Sequence, residues 1–301
     1  MKNSQSHTDV LLLTYGEPYR NSFFEHWRYS IRILNKLTRR VAPIPRAAVP
    51  LIGVYRAAKR TREWKEAGYL SPLESITERQ RTQLEQKLIE RNPQPNWRVH
   101  TVYEFRGADL VEVLRDRKED NSAQVLVLPM YVAQSDFTSG LSREDCDVYR
   151  NTLDDSLKID YIEPGDHCDR LSALMASFVI RQLKQRAFDL DRPANRGLLL
   201  GAHGTVISPH PAIRENGYEA TYRLGAQLIE HIGGFFESSS IGWFNHRRGG
   251  EWSAPAMEEA AATMLQNGIQ DIVFFPFGFL ADNEETELGA KNVLESAGIR
   301  E

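Results

Sequence analysis

Gly197-Leu198-Leu199-Leu200-Gly201-Ala202-His203-Gly204 (GLLLGAHG) is the stretch on which the fold turns. Three leucines and two small residues in a row read as a strand buried on both faces, and the glycine after the histidine ends it. The first half of the chain carries an echo, Val10 to Gly16 (VLLLTYG). A second echo pairs Val125 to Thr138 (VLVLPMYVAQSDFT) with Ile272 to Thr286 (IVFFPFGFLADNEET), Pro129 answering Pro276. Each half thus has one strand ending in Gly and a later one ending in Pro.

Between these runs, helical and strand patterns alternate. Helices are predicted at 22–40, 77–91, 108–117, 169–186, 218–232, 255–267 and 284–297. Strands are predicted at 10–14, 97–103, 124–128, 159–162, 197–202 and 272–275. Pro43, Pro45 and Pro50 predict an interrupted segment, and Thr77 with Gln80 suggests a capping box. This alternation implies parallel sheets flanked by helices, an α/β architecture. The repeat implies two similar open α/β domains, at 8–166 and 167–301. Ligands of such folds bind outside the carboxyl ends of the strands, here in a central cleft.

The chain has 301 residues, 41% hydrophobic and 26% charged, with a net charge of −4. Disorder is excluded as its main character. Its longest uncharged apolar runs, Leu171 to Ile180 and Ile272 to Ala281, are half the roughly 20 residues of a spanning helix. The polar start, Met1 to Asp9, lacks the apolar core of a signal peptide. Two cysteines, Cys146 and Cys168, make no disulfide framework and cannot supply the four thiolates of an iron–sulfur cluster. A cytoplasmic protein is expected. Acidic overall charge speaks against nucleic acid as partner. Residues 1–70 run the other way, with thirteen Lys and Arg against five Asp and Glu. There Arg20, Arg28, Arg32, Lys36, Arg39, Arg40 and Arg46 lie among Phe23, Phe24, Trp27, Ile31 and Leu34. The segment reads either as an amphipathic helix with a solvated basic face or as a lip over an apolar, anionic ligand. A membrane-surface patch is the third reading, with the protein peripheral to the inner membrane face.

His203 ends its strand in a tight loop, placed as a metal ligand, a proton acceptor or a structural histidine bonded to a carbonyl. Glu285 opens a helix after the Phe-Gly-Phe-Leu-Ala-Asp loop, where a helix dipole alone would stabilise an acid. The two come from strand ends of the same half and could face each other. A His–Glu pair can hold a divalent ion loosely and exchange protons, short of a closed zinc set. His210 and His246 lie in polar loops and read as solvated. Tyr15, Tyr131, Trp243, Phe244 and Trp252 read as lying in or beside loops, as core or as walls for a flat aromatic ligand.

Six stretches in order resemble the ferrochelatase family. They are Tyr15-Gly16-Glu17-Pro18, Gly68 to Leu73 (GYLSPL), Leu128 to Gly140 (LPMYVAQSDFTSG), Gly201-Ala202-His203-Gly204, Trp252-Ser253-Ala254-Pro255, and Gly278 to Thr286 (GFLADNEET). The resemblance implies two Rossmann-like, chelatase-type domains, the second shortened at its end, with segment 20–70 covering a porphyrin. It implies insertion of ferrous iron into protoporphyrin IX or coproporphyrin III in haem synthesis, with iron as substrate and no resident cofactor. His203 and Glu285 would be the catalytic and metal-handling residues, and Tyr15, Arg32, Ser71, Tyr131, Ser135 and Trp252 would bind substrate. Gly289 and Val293 stand where the family often has further acids. With the shortened end they motivate one alternative, a catalytically impaired porphyrin-binding relative; a cobalt or nickel chelatase for a sirohydrochlorin-type ring is the other.

Overall fold

Every residue of strand β1 (His7–Thr14) is buried, which is what an interior parallel strand requires. A computed structural model describes residues 7–37, 44–152, 156–165, 168–208, 213–245 and 250–299. The chain divides into two compact units. One comprises Met1–Tyr131, Ser135–Pro164 and Ala281–Asn283, the other Val132–Gln134, Gly165–Leu280 and Glu284–Glu301.

In the first unit β1 is followed by helices α1 (Phe23–Leu37), α2 (Val49–Glu66) and α3 (Leu73–Arg91). Strand β2 (Asn96–Tyr103), α4 (Leu110–Glu119), β3 (Ser122–Pro129), α5 (Ser139–Thr152) and β4 (Lys158–Tyr161) complete it. All pairings are parallel, in the order β2-β1-β3-β4. Side chains alternate across the sheet. Leu11 and Leu13 pack with Leu114 of α4 and Tyr149 of α5 on one face. Val10 and Leu12 pack with Leu84 and Leu88 of α3 on the other.

The second unit runs α6 (Cys168–Gln185), β5 (Arg196–His203), α7 (Tyr218–Ile232), β6 (Ser238–Phe244), α8 (Met257–Gln266), β7 (Asp271–Phe275) and, after a π-turn at Glu285–Gly289, α9 (Ala290–Ser296). Its sheet is also parallel, in the order β6-β5-β7. Leu198 and Leu200 face α6 and α7, while Leu199 faces α8 and α9. The first-arriving strand of each unit, β1 or β5, therefore lies between its neighbours, with helices on both faces.

Several expectations need correction. Pro50 does not interrupt a segment; it sits in the first turn of α2, where its missing N–H is no loss. Thr77 is no cap, since α3 starts at Leu73 and the buried Thr77 hydroxyl donates to the Leu73 carbonyl at 2.7 Å. Trp243 and Phe244 lie beside a loop and take the core reading. They end strand β6, unpredicted from the sequence, and both are buried. Helix α5 was likewise not predicted. Arg39, Arg40, Pro43, His210 and His246 lie outside the described residues.

The α1–α2 pairing has a titratable core. His26 is fully buried, its ring edge-on to Trp64 at 4.6 Å, with Nε2 3.1 Å from Asn21 Oδ1. Burial, reinforced by the Arg60 charge, pushes its pKa down to about 4. The unfolded chain binds a proton near pH 6.5 that the folded chain refuses. Stability from this residue is complete above pH 6.5 and is lost as pH falls toward 4. Urea unfolding of wild type should therefore weaken over that window more steeply than that of His26→Gln; parallel pH profiles would contradict the assignment.

Candidate active site

The side chains of Leu198, Leu199, Leu200 and Ala202 are fully buried, so the sequence can present a polar group only at the end of β5. His203 is that residue, and its side chain is 51% exposed. Two glycines shape its surroundings. A Cβ on Gly278 would lie 2.8 Å from the Ala202 backbone, and the Gly278 N–H donates to the Gly201 carbonyl at 3.0 Å. Glycine is thus what lets the loop after β7 lie directly on the end of β5. A Cβ on Gly201 would lie 2.6 Å from the Phe274 ring, which fills the space that a serine there would need.

That loop leads into the π-turn. The Gly289 N–H donates five residues back, to the Glu284 carbonyl, at 2.8 Å. The turn carries Glu285 to His203, and both carboxylate oxygens lie against Nδ1, at 2.8 and 2.9 Å. In the neutral ring Nδ1–H donates to the carboxylate and the lone pair lies on Nε2. Loss of hydration disfavours the imidazolium, yet the charge and hydrogen bond of Glu285 outweigh it. The His203 pKa is raised above 6.5. Glu285 is thus more than a helix-terminal acid, and His203 more than a ring bonded to a carbonyl. A Cβ at Gly289 would make only ordinary contacts, 3.6 Å from Glu284 O and Glu285 Cγ. Trp252 belongs to the same unit and pairs antiparallel with Val206, three residues beyond His203.

The other candidate residues belong to the first unit. Tyr15 follows β1 and meets Phe105 and Tyr29 edge-on, at 4.8 and 6.1 Å between ring centres. Tyr131 follows β3, and its hydroxyl donates to Glu104 Oε2 at 2.5 Å. Burial, then the Glu104 charge, holds this phenol well above 10, so it stays a donor. Arg32 is exposed on α1 and lines a pocket of about 430 Å³ with Arg28, Trp27, Ile31, Phe105 and Arg106. Two serines have structural work. Ser71 Oγ donates to the buried Glu17 carboxylate at 2.6 Å, and Ser135 Oγ accepts the Phe137 N–H at 3.2 Å in the turn into α5. Sequence reasoning missed Glu104, Phe105 and Arg106. The signal was their position, directly after β2, equivalent to Tyr15 after β1 and Tyr131 after β3.

A family model described as Ferrochelatase matches residues 7–299. The ferrochelatase of a Picosynechococcus species is 27% identical over 300 residues, covering 96% of this chain and 75% of its own length. That of Gloeobacter violaceus is 25% identical over 300 residues, covering 97% of this chain and 89% of its own. Among solved structures, a cobalt complex of the sirohydrochlorin chelatase from Bacillus subtilis subspecies spizizenii matches at a TM-score of 0.41. Its identity is 10%, over 95% of this chain and 97% of that one. With the matched model spanning both units, the chain belongs to the ferrochelatase family.

Proposed function

We propose that this protein inserts ferrous iron into a porphyrin, with His203 and Glu285 as the reacting side chains. The observation that carries the reading is the direct His203–Glu285 contact at the end of β5. A free-base porphyrin loses two pyrrole N–H protons as the metal enters. His203 Nε2 takes the two in turn, passing the first to water before it accepts the second, and Glu285 stabilises the imidazolium through Nδ1. The same carboxylate is an oxygen donor for an incoming divalent cation, which is substrate and leaves in the product. In the first unit, Tyr15 and Tyr131 supply aromatic surface, and Arg32 supplies charge for the porphyrin's acidic side chains. Trp252 supplies a further apolar wall.

Among the described residues, no helix is long and apolar enough to cross a membrane. Phe24 on α1 and Leu51, Val54 and Tyr55 on α2 are exposed beside Arg28, Arg32 and Arg56. This combination suits peripheral contact with an anionic lipid surface. Vesicles containing phosphatidylserine should co-sediment wild type, and Leu51→Asp with Phe24→Asp should release it. Retention of that variant would refute the contact.

Iron insertion into deuteroporphyrin tests the main reading. His203→Ala should lower the rate by roughly 10²–10⁴-fold while porphyrin still binds. Glu285→Gln keeps the shape and should be nearly as impaired. An active wild type with an equally active Glu285→Gln would remove the pair from the mechanism. A wild type that binds porphyrin without inserting any divalent metal would leave a carrier.

The raised His203 pKa gives an independent readout. Below it the ring is already charged and cannot accept a proton, so the rate should climb with pH, its midpoint above 6.5. NMR titration of the ring should give the same midpoint in wild type and a lower one in Glu285→Gln, where the attracting charge is gone. An unchanged midpoint would mean that Glu285 does not set the proton affinity.

A further inference from the structure

Helix α1 carries three cations at i, i+4 and i+8, Arg28, Arg32 and Lys36, a stripe with about 6 Å of helix axis between neighbours. Arg28 and Arg32 line the 430 Å³ pocket and are exposed, and neither makes an ion pair among the described residues. Arg106, on the opposite wall, is committed elsewhere. It lies 2.9 Å from Glu74 and 4.1 Å above the Tyr103 ring. Lys36 differs from its two companions. Its Nζ stands 3.8 Å from Glu104 Oε1 and 3.8 Å from Asp145 Oδ2, and over the Phe105 ring. The Glu104 side chain is 1% exposed. Its other oxygen takes the Tyr131 hydroxyl hydrogen bond, which holds the carboxylate in place. A charge so buried is weakly screened, and it acts on Lys36 and on anything that approaches Lys36.

We propose that Glu104 is a specificity-determining residue. With Asp145 it neutralises Lys36, and so confines carboxylate recognition along α1 to Arg28 and Arg32. This deepens the porphyrin reading and rests on it. It assigns to this pocket porphyrins whose acidic side chains are few and gathered at one edge, and it sets a negative centre against rings with carboxylates on every side. Tyr131 positions Glu104; it serves this discrimination through the carboxylate it holds.

Titration of porphyrin fluorescence tests the assignment, with deuteroporphyrin IX carrying two carboxylates and coproporphyrin III carrying four. Glu104→Gln keeps an acceptor for Tyr131 and removes the charge. It should tighten binding of the four-carboxylate ring about fivefold, with little change for the two-carboxylate ring. Lys36→Met added to it should cancel that gain. Asp145→Asn, at a more exposed site, should shift the ratio the same way and covers the case that Glu104→Gln does not fold. Loss of affinity for both rings would make Glu104 merely structural and overturn the proposal, as would a gain that survives without Lys36. A wild type that binds neither ring would overturn the porphyrin reading itself, whereas an unchanged ratio in variants of a porphyrin-binding wild type overturns only this inference.

Discussion

A parallel strand packed by helices on both faces can show a reactive side chain only where it leaves the sheet. That constraint governs this protein. In β5 the side chains from Leu198 to Ala202 are consumed by two hydrophobic layers, and His203 is the first that can meet a ligand. The same rule fixes where its partner must come from. The neighbouring β7 ends beside Leu200, three residues before the histidine, so the loop after β7 runs on along the end of β5. Gly278 lets that loop settle onto Ala202, and the π-turn carries Glu285 to the imidazole. Replacing any of these parts leaves the others without a purpose.

The first unit obeys the same geometry with different chemistry. Tyr15, Glu104 and Tyr131 follow β1, β2 and β3, and Tyr161 closes β4. Acids there are buried and bonded, Glu17 to Ser71 and Glu104 to Tyr131, while Arg28 and Arg32 stay at the surface. At these positions the acid is inside and the cations are at the surface. The second unit puts its acid in contact with a base at an exposed strand end.

The sequence was most legible where burial is complete. Continuous apolar runs revealed β1, β3, β5 and β7, and the internal repeat announced two sheets. The misses share a cause, which is structure imposed by partners. Strand β6 begins Ser238-Ser239-Ser240, residues with no strand preference of their own, and exists because β5 pairs with it. Helix α5 hides buried Leu141, Cys146 and Tyr149 among charged neighbours. The Thr77–Gln80 spacing mimicked a cap because nothing local reveals that Leu73 has already begun the helix. At the site, strand ends of one half made the His203–Glu285 meeting foreseeable. The π-turn, the holding of Glu104 by Tyr131, and the use of Ser71 and Ser135 in turns have no signature in one dimension.

The exposure of His203 bears on timing. In the proposed reaction each metallation frees two protons, whereas one imidazole stores one, so the acceptor would have to be emptied within every cycle. A ring buried like His26 would need a relay of donors to do this. Half of the His203 side chain is open, and its Nδ1 is tethered by the carboxylate, which leaves the ring oriented while it trades protons with water or buffer. In the proposed reaction, discharge of the base is then an exchange with solvent rather than a passage through the protein interior.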